Sequence, residues 1–459
     1  MIYRVRGDNV RLVKFRSNNK LEIVIACFLF VIIIFISLMF FFKSYAVFRE
    51  EKHFNVINGE VQDPGDIYFA YYVDNEITRS MPSYESGYTL DTPKSTCTNG
   101  VTVGWDNNLW AAVVYYKNYK PENMTRTKCN LYFTNSLIDY IKNISKNDIT
   151  NLVIDDYENV RYSGPNPNNY VSVDGELWRI IGVMKSIDDG TGNKSDRVKL
   201  IRDESIGNYS WDTSESSVNG GYGVNEWSSA DIMKLLNPGY ESESIGGSLY
   251  WNKKVGTCYS NFCSQKDNCD FTNFGLKDSL KSMIDDVLWN TGANDGVTNV
   301  HNNIITSKFY VLERSTNVGK KCTSGVYCTD TIKRTTSWTG KVGLMYPSDY
   351  GYATSGGSTT NRSTCLNKEL YNWSNYSDCY TNDWLYNGSS NWTMMPSAGS
   401  SIDTTYVFFF KESCYGYPGE GFSPSASNAF GVKPVVYLKP TVKIVSGIGT
   451  KENPFIIGN

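Results

Sequence analysis

The sequence predicts an α+β fold behind an N-terminal transmembrane helix: a small all-β module, then a larger domain with long disulfide-stapled loops. Three observations predict it. A charge-free apolar run stands near the N-terminus, ten of the eleven cysteines lie beyond it, and short strand-like segments outnumber helical ones throughout the remainder. The composition agrees. Of 459 residues, 41% are hydrophobic, 14% aromatic and only 20% charged, which excludes a disordered chain. The net charge of -3 and pI of about 5.7 give no basic footprint for nucleic acid, so no nucleic-acid partner is expected.

Residues 1–20 form a basic tail, where Arg4, Arg6, Arg11, Lys14, Arg16 and Lys20 against Asp8 leave +5. Residues 21–43 cancel in charge, so the remainder carries -8. Within 21–43, Ile23 to Phe42 is a twenty-residue run without a charge, interrupted only by Cys27 and Ser37. At about 1.5 Å per residue it spans roughly 30 Å, the hydrocarbon thickness of a bilayer. The positive flank predicts a cytoplasmic N-terminus, with the bulk of the chain outside the cell membrane. A cleaved signal peptide ending at Ala46 is the alternative, but its apolar core would be shorter than this one. Residues 44–58 read as a juxtamembrane connector.

Ten outer cysteines in an exported chain read as disulfides. Proximity pairs Cys97 with Cys129, Cys322 with Cys328 and Cys365 with Cys379, and leaves Cys258, Cys263, Cys269 and Cys414 unassigned. Zinc is disfavoured, because the spacings are C-x4-C-x5-C and C-x5-C and the only histidines are His53 and His301.

Residues 59–134 read as the β module, with strands over Ile67 to Val73, Val101 to Trp105, Leu109 to Tyr116 and Lys128 to Phe133. Residues 135–156 read as a connecting helix and linker, because Leu137, Ile138, Ile141 and Ile144 share one helical face. Beyond them, Tyr170 to Val173 and Glu176 to Met184 flank Asp174-Gly175, the signature of a tight type I′ hairpin. Arg197 to Arg202 is the next strand. Ser228 opens a helix to Asn237 with Asp231 closing a capping box, and Pro238-Gly239 ends it. Leu276, Leu280, Met283, Ile284, Val287 and Leu288 line a second helix. Further strands are expected at Phe309 to Leu312, Val342 to Tyr346, Trp392 to Met395, Tyr406 to Phe410 and Lys433 to Leu438. Residues 441–459 form a terminal β-hairpin.

Several of these segments carry a resemblance. Asn166 to Tyr170, Gly175 to Gly182, Ile201 to Trp211, Asn225 to Asn237, Lys341 to Asp349 and Gly431 to Leu438 are similar, in that order, to motifs of a family of gut-Firmicutes surface proteins whose activity is not established. The resemblance covers about residues 157–440. It implies a C-type-lectin-like domain, the fold shared with bacterial and phage receptor-binding modules and formylglycine-generating enzymes. Lys433 stands where relatives commonly carry Arg.

Catalytic signatures are sparse. There is no G-x-S-x-G, H-E-x-x-H or P-loop, so no catalytic residue is assigned. A thiol-dependent oxidase of the formylglycine-generating type would need reduced cysteines. Calcium would find oxygen donors in Asp188 to Asp196 and in Asn294 to Gly296, but neither follows a ligand spacing, so no cofactor is expected. The densest functional signal is aromatic: Trp373, Tyr376, Tyr380, Trp384, Tyr386 and Trp392, with Asp383, crowd into twenty residues. Rings with a flat face and polar edge suit a sugar or a protein partner. The expectation is a membrane-anchored extracellular binder of a glycan or protein ligand. An envelope enzyme or a structural envelope component is the alternative.

Overall fold

In a computed structural model, the described residues are 67–459 apart from 74, 84–85, 87, 93, 107–109, 117–126, 147–150, 215–222, 262–264, 292–303, 316–334, 387, 397–406, 412–416 and 419–425. The basic tail, the membrane span and the connector therefore lie outside them. Among the described residues no helix is long and apolar enough to cross a membrane. The architecture is mixed α+β, mostly sheet with few and short helices.

The chain divides into two compact units, residues up to Pro82 with Thr92–Phe133, and Ser83–Asp91 with Thr134–Asn459. In the first, Ile67–Val73 runs parallel to Thr127–Thr134, and Glu76–Thr78 folds back on it. Thr96–Cys97 pairs with Thr127–Thr134 so that Cys97 faces Cys129 directly, at an S–S distance of 2.02 Å. Val101–Asp106 and Ala111–Tyr116 form a separate hairpin, with Val101, Val103 and Trp105 buried on one face. The even alternation of that strand in sequence dictates this single apolar face.

The second unit is built on a nine-stranded sheet. Its main path runs Val342–Gly343, Val435–Tyr437, Lys194–Arg202, Glu176–Asp188, Tyr170–Val173, Phe455–Gly458 and Lys443–Ser446. Leu152–Ile154 and Val160–Tyr162 attach to the far half of Glu176–Asp188. Asp174 and Gly175 turn the central hairpin at φ 49° and 80°, as the Asp-Gly pair requires. Ile180, Ile181, Leu200, Val435 and Val436 fill the core on this sheet. The helix Leu137–Ile144 buries Leu137, Ile138 and Ile141 and is capped by the Ser136 side chain, so it is part of this unit rather than a free connector. The residues 441–459 hairpin likewise belongs to the main sheet, because Phe455 and Ile456 pair in parallel with Val171 and Ser172.

A five-stranded sheet of Asn208–Ser210, Ala429–Gly431, Asn391–Pro396, Val407–Lys411 and Tyr417–Pro418 is the other large sheet of this unit. Cys258 pairs with Cys269 across the ribbon Val255–Asn261/Gln265–Asp270, a bridge that spacing left unassigned. Cys365 pairs with Cys379 as spacing suggested, at 1.98 Å. Cys263, Cys322, Cys328 and Cys414, and both histidines, lie outside the described residues.

Four local expectations are corrected. Ser228 does not open the helix: Trp227–Ser229 is a short 3-10 turn capped by Glu226, and the helix Asp231–Leu236 starts after Ala230 without a side-chain cap. The Asp231 carboxylate instead accepts from the Thr213 amide and hydroxyl. The second helix covers only Asp278–Met283, because Val287–Asn290 leaves it to pair as a strand with Ser337–Gly340. Phe309 to Leu312 is helical, within Thr306–Glu313. Val342–Gly343 is a two-residue strand, after which Tyr346 caps the helix Pro347–Ala353.

Candidate functional site

The main sheet brings a row of side chains to one end of the second unit. Tyr170 pairs with Arg179, Arg179 with Ile201, and Ile201 with Val435, two residues after Lys433. The Arg202 amide donates to the Pro434 carbonyl at 3.0 Å, which holds Lys433 beside Arg202 and Asp203. The stapled loop after Ser377–Thr381 supplies Trp384, Leu385 and Tyr386, with the Trp384 Nε1 donating to the Tyr162 carbonyl at 3.0 Å. Pro165, Asn166, Glu204 and Lys451 complete the wall. Together they enclose a cavity of about 250 Å³.

Arg179 is the deepest charge there, only 7% exposed. Its guanidinium lies 4.2 Å from the Tyr170 ring centroid and 4.5 Å from that of Trp384. Its Nε donates to Asn169 Oδ1 at 2.9 Å, while its Nη2 is buried without a partner. Burial lowers its pKa, with Tyr170, Asp203 and Asp383 opposing. Lys433 is 8% exposed, and burial lowers its pKa as well, against Asp203 and Glu204. Its ammonium makes no hydrogen bond or close ion pair with the described residues. Arg202, by contrast, is neutralised by Glu176 at 2.6 Å.

Each residue of the aromatic segment has a definite place. Trp373 is fully buried, with Nε1 donating to the Cys365 carbonyl at 3.2 Å and its ring 5.4 Å from Tyr350. Trp392 is buried against Phe430 and donates to the Tyr209 carbonyl. Tyr376 is half-buried under Lys368, and Tyr380 meets Tyr386 edge-on at 5.6 Å. Asp383 is buried beside Trp384. Only Trp384 and Tyr386 of this set line the cavity. Large rings with an N–H partner fill core volume efficiently, which is why the segment does not form one exposed platform.

Tyr170, Arg179 and Lys433 are the residues that reading by local density misses. A signal for two of them exists. Arg179 lies within Leu177-Trp-Arg-Ile-Ile181 and Lys433 within Gly431-Val-Lys-Pro-Val-Val436, single cations inside strands otherwise apolar enough to be buried.

A second charged cluster lies deeper. Arg161 bridges Asp155 and Asp349, the latter at 3.0 Å, and Lys199 also pairs with Asp349. The Lys199 ammonium is boxed by Tyr346, Tyr437 and Trp289. Burial lowers its pKa to about 8 although Asp349 opposes the shift. Glu313 accepts from the Ser348 amide and hydroxyl, and Arg314 stacks 3.4 Å from the Tyr310 ring centroid. These charges answer one another, and the cluster ties the strands Val160–Tyr162 and Lys194–Arg202 to the helix Pro347–Ala353. Asp188 and Asp189, considered for calcium, spend their carboxylates on Gly190, Gly192 and Thr191 in a hairpin loop. Among the described residues no group of three metal-ligating side chains converges.

No family model, curated protein or solved structure matches the chain. The cavity therefore has to be interpreted from its own chemistry.

Proposed function

We propose that the chain is a membrane-anchored extracellular protein that recognises a glycan or protein ligand without catalysis, through a C-type-lectin-like domain. The ordered motifs support this reading, since segments from four of them, Asn166 to Tyr170, Gly175 to Gly182, Ile201 to Trp211 and Gly431 to Leu438, supply most of one cavity wall. The observation that carries it is the wall itself: aromatic rings beside two buried cations with no carboxylate at hydrogen-bond distance among the described residues, an arrangement suited to holding a ligand. The oxidase-like alternative needs free thiols. The six described cysteines are paired, so that alternative rests on Cys263, Cys322, Cys328 and Cys414, which lie outside the described residues.

The test is an array of glycans and surface proteins probed with the full-length chain in detergent. Trp384→Ala would remove a packed ring and cost about 3–5 kcal/mol of stability, so Tyr386→Ala is the sharper variant. Binding that weakens about tenfold in Tyr386→Ala, in a chain that still melts cooperatively, is expected from the loss of one aromatic contact. A folded chain that binds nothing on the array would overturn the reading.

A further inference from the structure

We propose that the cavity seats a carboxylate-bearing sugar unit, of the uronic or sialic acid class, with its carboxylate drawn to Arg179 and Lys433. This deepens the binding function and rests on it. Two cations more than nine-tenths buried line the same cavity, and among the described residues neither has an acidic partner at hydrogen-bond distance. A buried charge without a bonded counter-charge is expensive, and an incoming anion lowers that expense.

The carboxylates nearby do not already fill this role. Glu176 accepts from Arg202 at 2.6 Å and from Trp178 Nε1 at 3.0 Å. Asp203 is half-buried and Glu204 exposed, both on the wall and neither bonded to Arg179 or Lys433. Asp383 touches Arg179 only electrostatically, and burial favours its neutral form.

The wall also speaks for the kind of anion. With Nε committed to Asn169 and Nη2 meeting no acceptor among the described residues, the guanidinium has its Nη1–Nη2 edge to offer, a planar donor pair matched to a planar carboxylate. The ring of Tyr386 and the amide of Asn166 suit a sugar face and its hydroxyls, and Asp203 and Glu204 can accept from hydroxyls. The same two carboxylates repel any anion, a dianion such as phosphate about twice as strongly as a single carboxylate. Among the described residues the aliphatic side chains on the wall are Pro165, Ile201 and Leu385, which offers little to the side chains of a peptide terminus. A volume of about 250 Å³ holds one sugar unit rather than an extended chain.

The experiment is titration calorimetry on the full-length chain in detergent. The probes are glucuronate, N-acetylneuraminate, glucose, inorganic phosphate and acetyl-alanyl-alanine. One acidic sugar is expected to bind at least about tenfold tighter than glucose, phosphate and the peptide. Lys433→Met keeps the buried stem and removes the charge, and should weaken that binding about thirtyfold or more. Arg179→Lys, which keeps charge but loses the planar donor pair, should weaken it too, and serves if Lys433→Met fails to fold. Glucose, phosphate or the peptide binding as well as the acidic sugars would overturn the carboxylate assignment while leaving the binding function standing. Array binding with no response to either acidic sugar would do the same. Silence of the folded chain on the array as well would remove both.

Discussion

Asp383 stands next to Trp384 at 3% exposure, its Oδ1 accepting from the Leu385 amide at 2.8 Å and its Oδ2 meeting no donor. Burial raises its pKa well above the ordinary carboxylate range, and the Leu385 and Tyr386 amides and Arg179 pull it back less. In the unfolded chain the same carboxyl ionises near ~3.9. Its contribution to stability is therefore complete below about pH 4 and is lost as pH rises toward the folded-state value, because the unfolded state releases its proton first. Asp383→Asn mimics the neutral form and titrates nowhere in this window. Denaturant unfolding between pH 4 and 7 should show the variant losing less stability than the native chain, by up to ~1.4 kcal/mol per pH unit. Parallel curves would mean that Asp383 ionises in the folded state. Arg179, the cation nearest this carboxyl, could be suspected from sequence as a charge within an apolar run. The silence of Asp383 could not, because the loop that buries it is closed by Gly164 and Thr354, both distant in sequence.

The strand Glu176–Asp188 carries the site at its start and a bulge at its middle, where the register to Lys194–Arg202 shifts between Ile180 and Gly182. At Gly182 a Cβ would stand 2.2 Å from the Val160 carbonyl oxygen and 3.1 Å from Arg161 Cα. Backbone cannot yield there as a flexible side chain can. Gly182→Ala should destabilise by about 1–3 kcal/mol, the usual penalty of overpacking, read as a lower urea midpoint at unchanged slope. A midpoint equal to that of the native chain would show that the two strands separate freely. Elements with a local signal were legible: the Asp174-Gly175 hairpin and the strands flanking it follow from turn chemistry and β-branched runs. Elements decided by distant partners were not. Val287–Asn290 continues the helical spacing of the preceding helix, yet Ser337–Gly340 captures it as a strand. Phe309 to Leu312 is an apolar run too short to show a period, and its place beside Pro347–Ala353 makes it helical.

At the scale of the molecule, the cavity joins residues from 165 to 451, so neither clustering nor motif spacing could have assembled it. What local density supplied was one wall, Trp384 and Tyr386, along with ring systems that belong to the core. The arrangement of the whole chain about a bilayer is a further matter, and it turns on charge and redox chemistry together. On the proposed reading, the twenty-residue apolar run spans the bilayer and the +5 tail before it stays inside. Cys97–Cys129, Cys258–Cys269 and Cys365–Cys379 are pairs that persist in an oxidising exterior and are kept reduced in cytosol. On the proposed reading, both place residues 44–459 on the same, outer side. Protease added to intact cells should therefore degrade a C-terminal tag while an N-terminal tag survives on a short membrane-bound fragment. Maleimide labelling of the denatured, unreduced chain should leave those six cysteines unmodified. A C-terminal tag protected in intact cells, together with six reactive thiols, would place the bulk in the cytosol and remove the grounds for an external ligand.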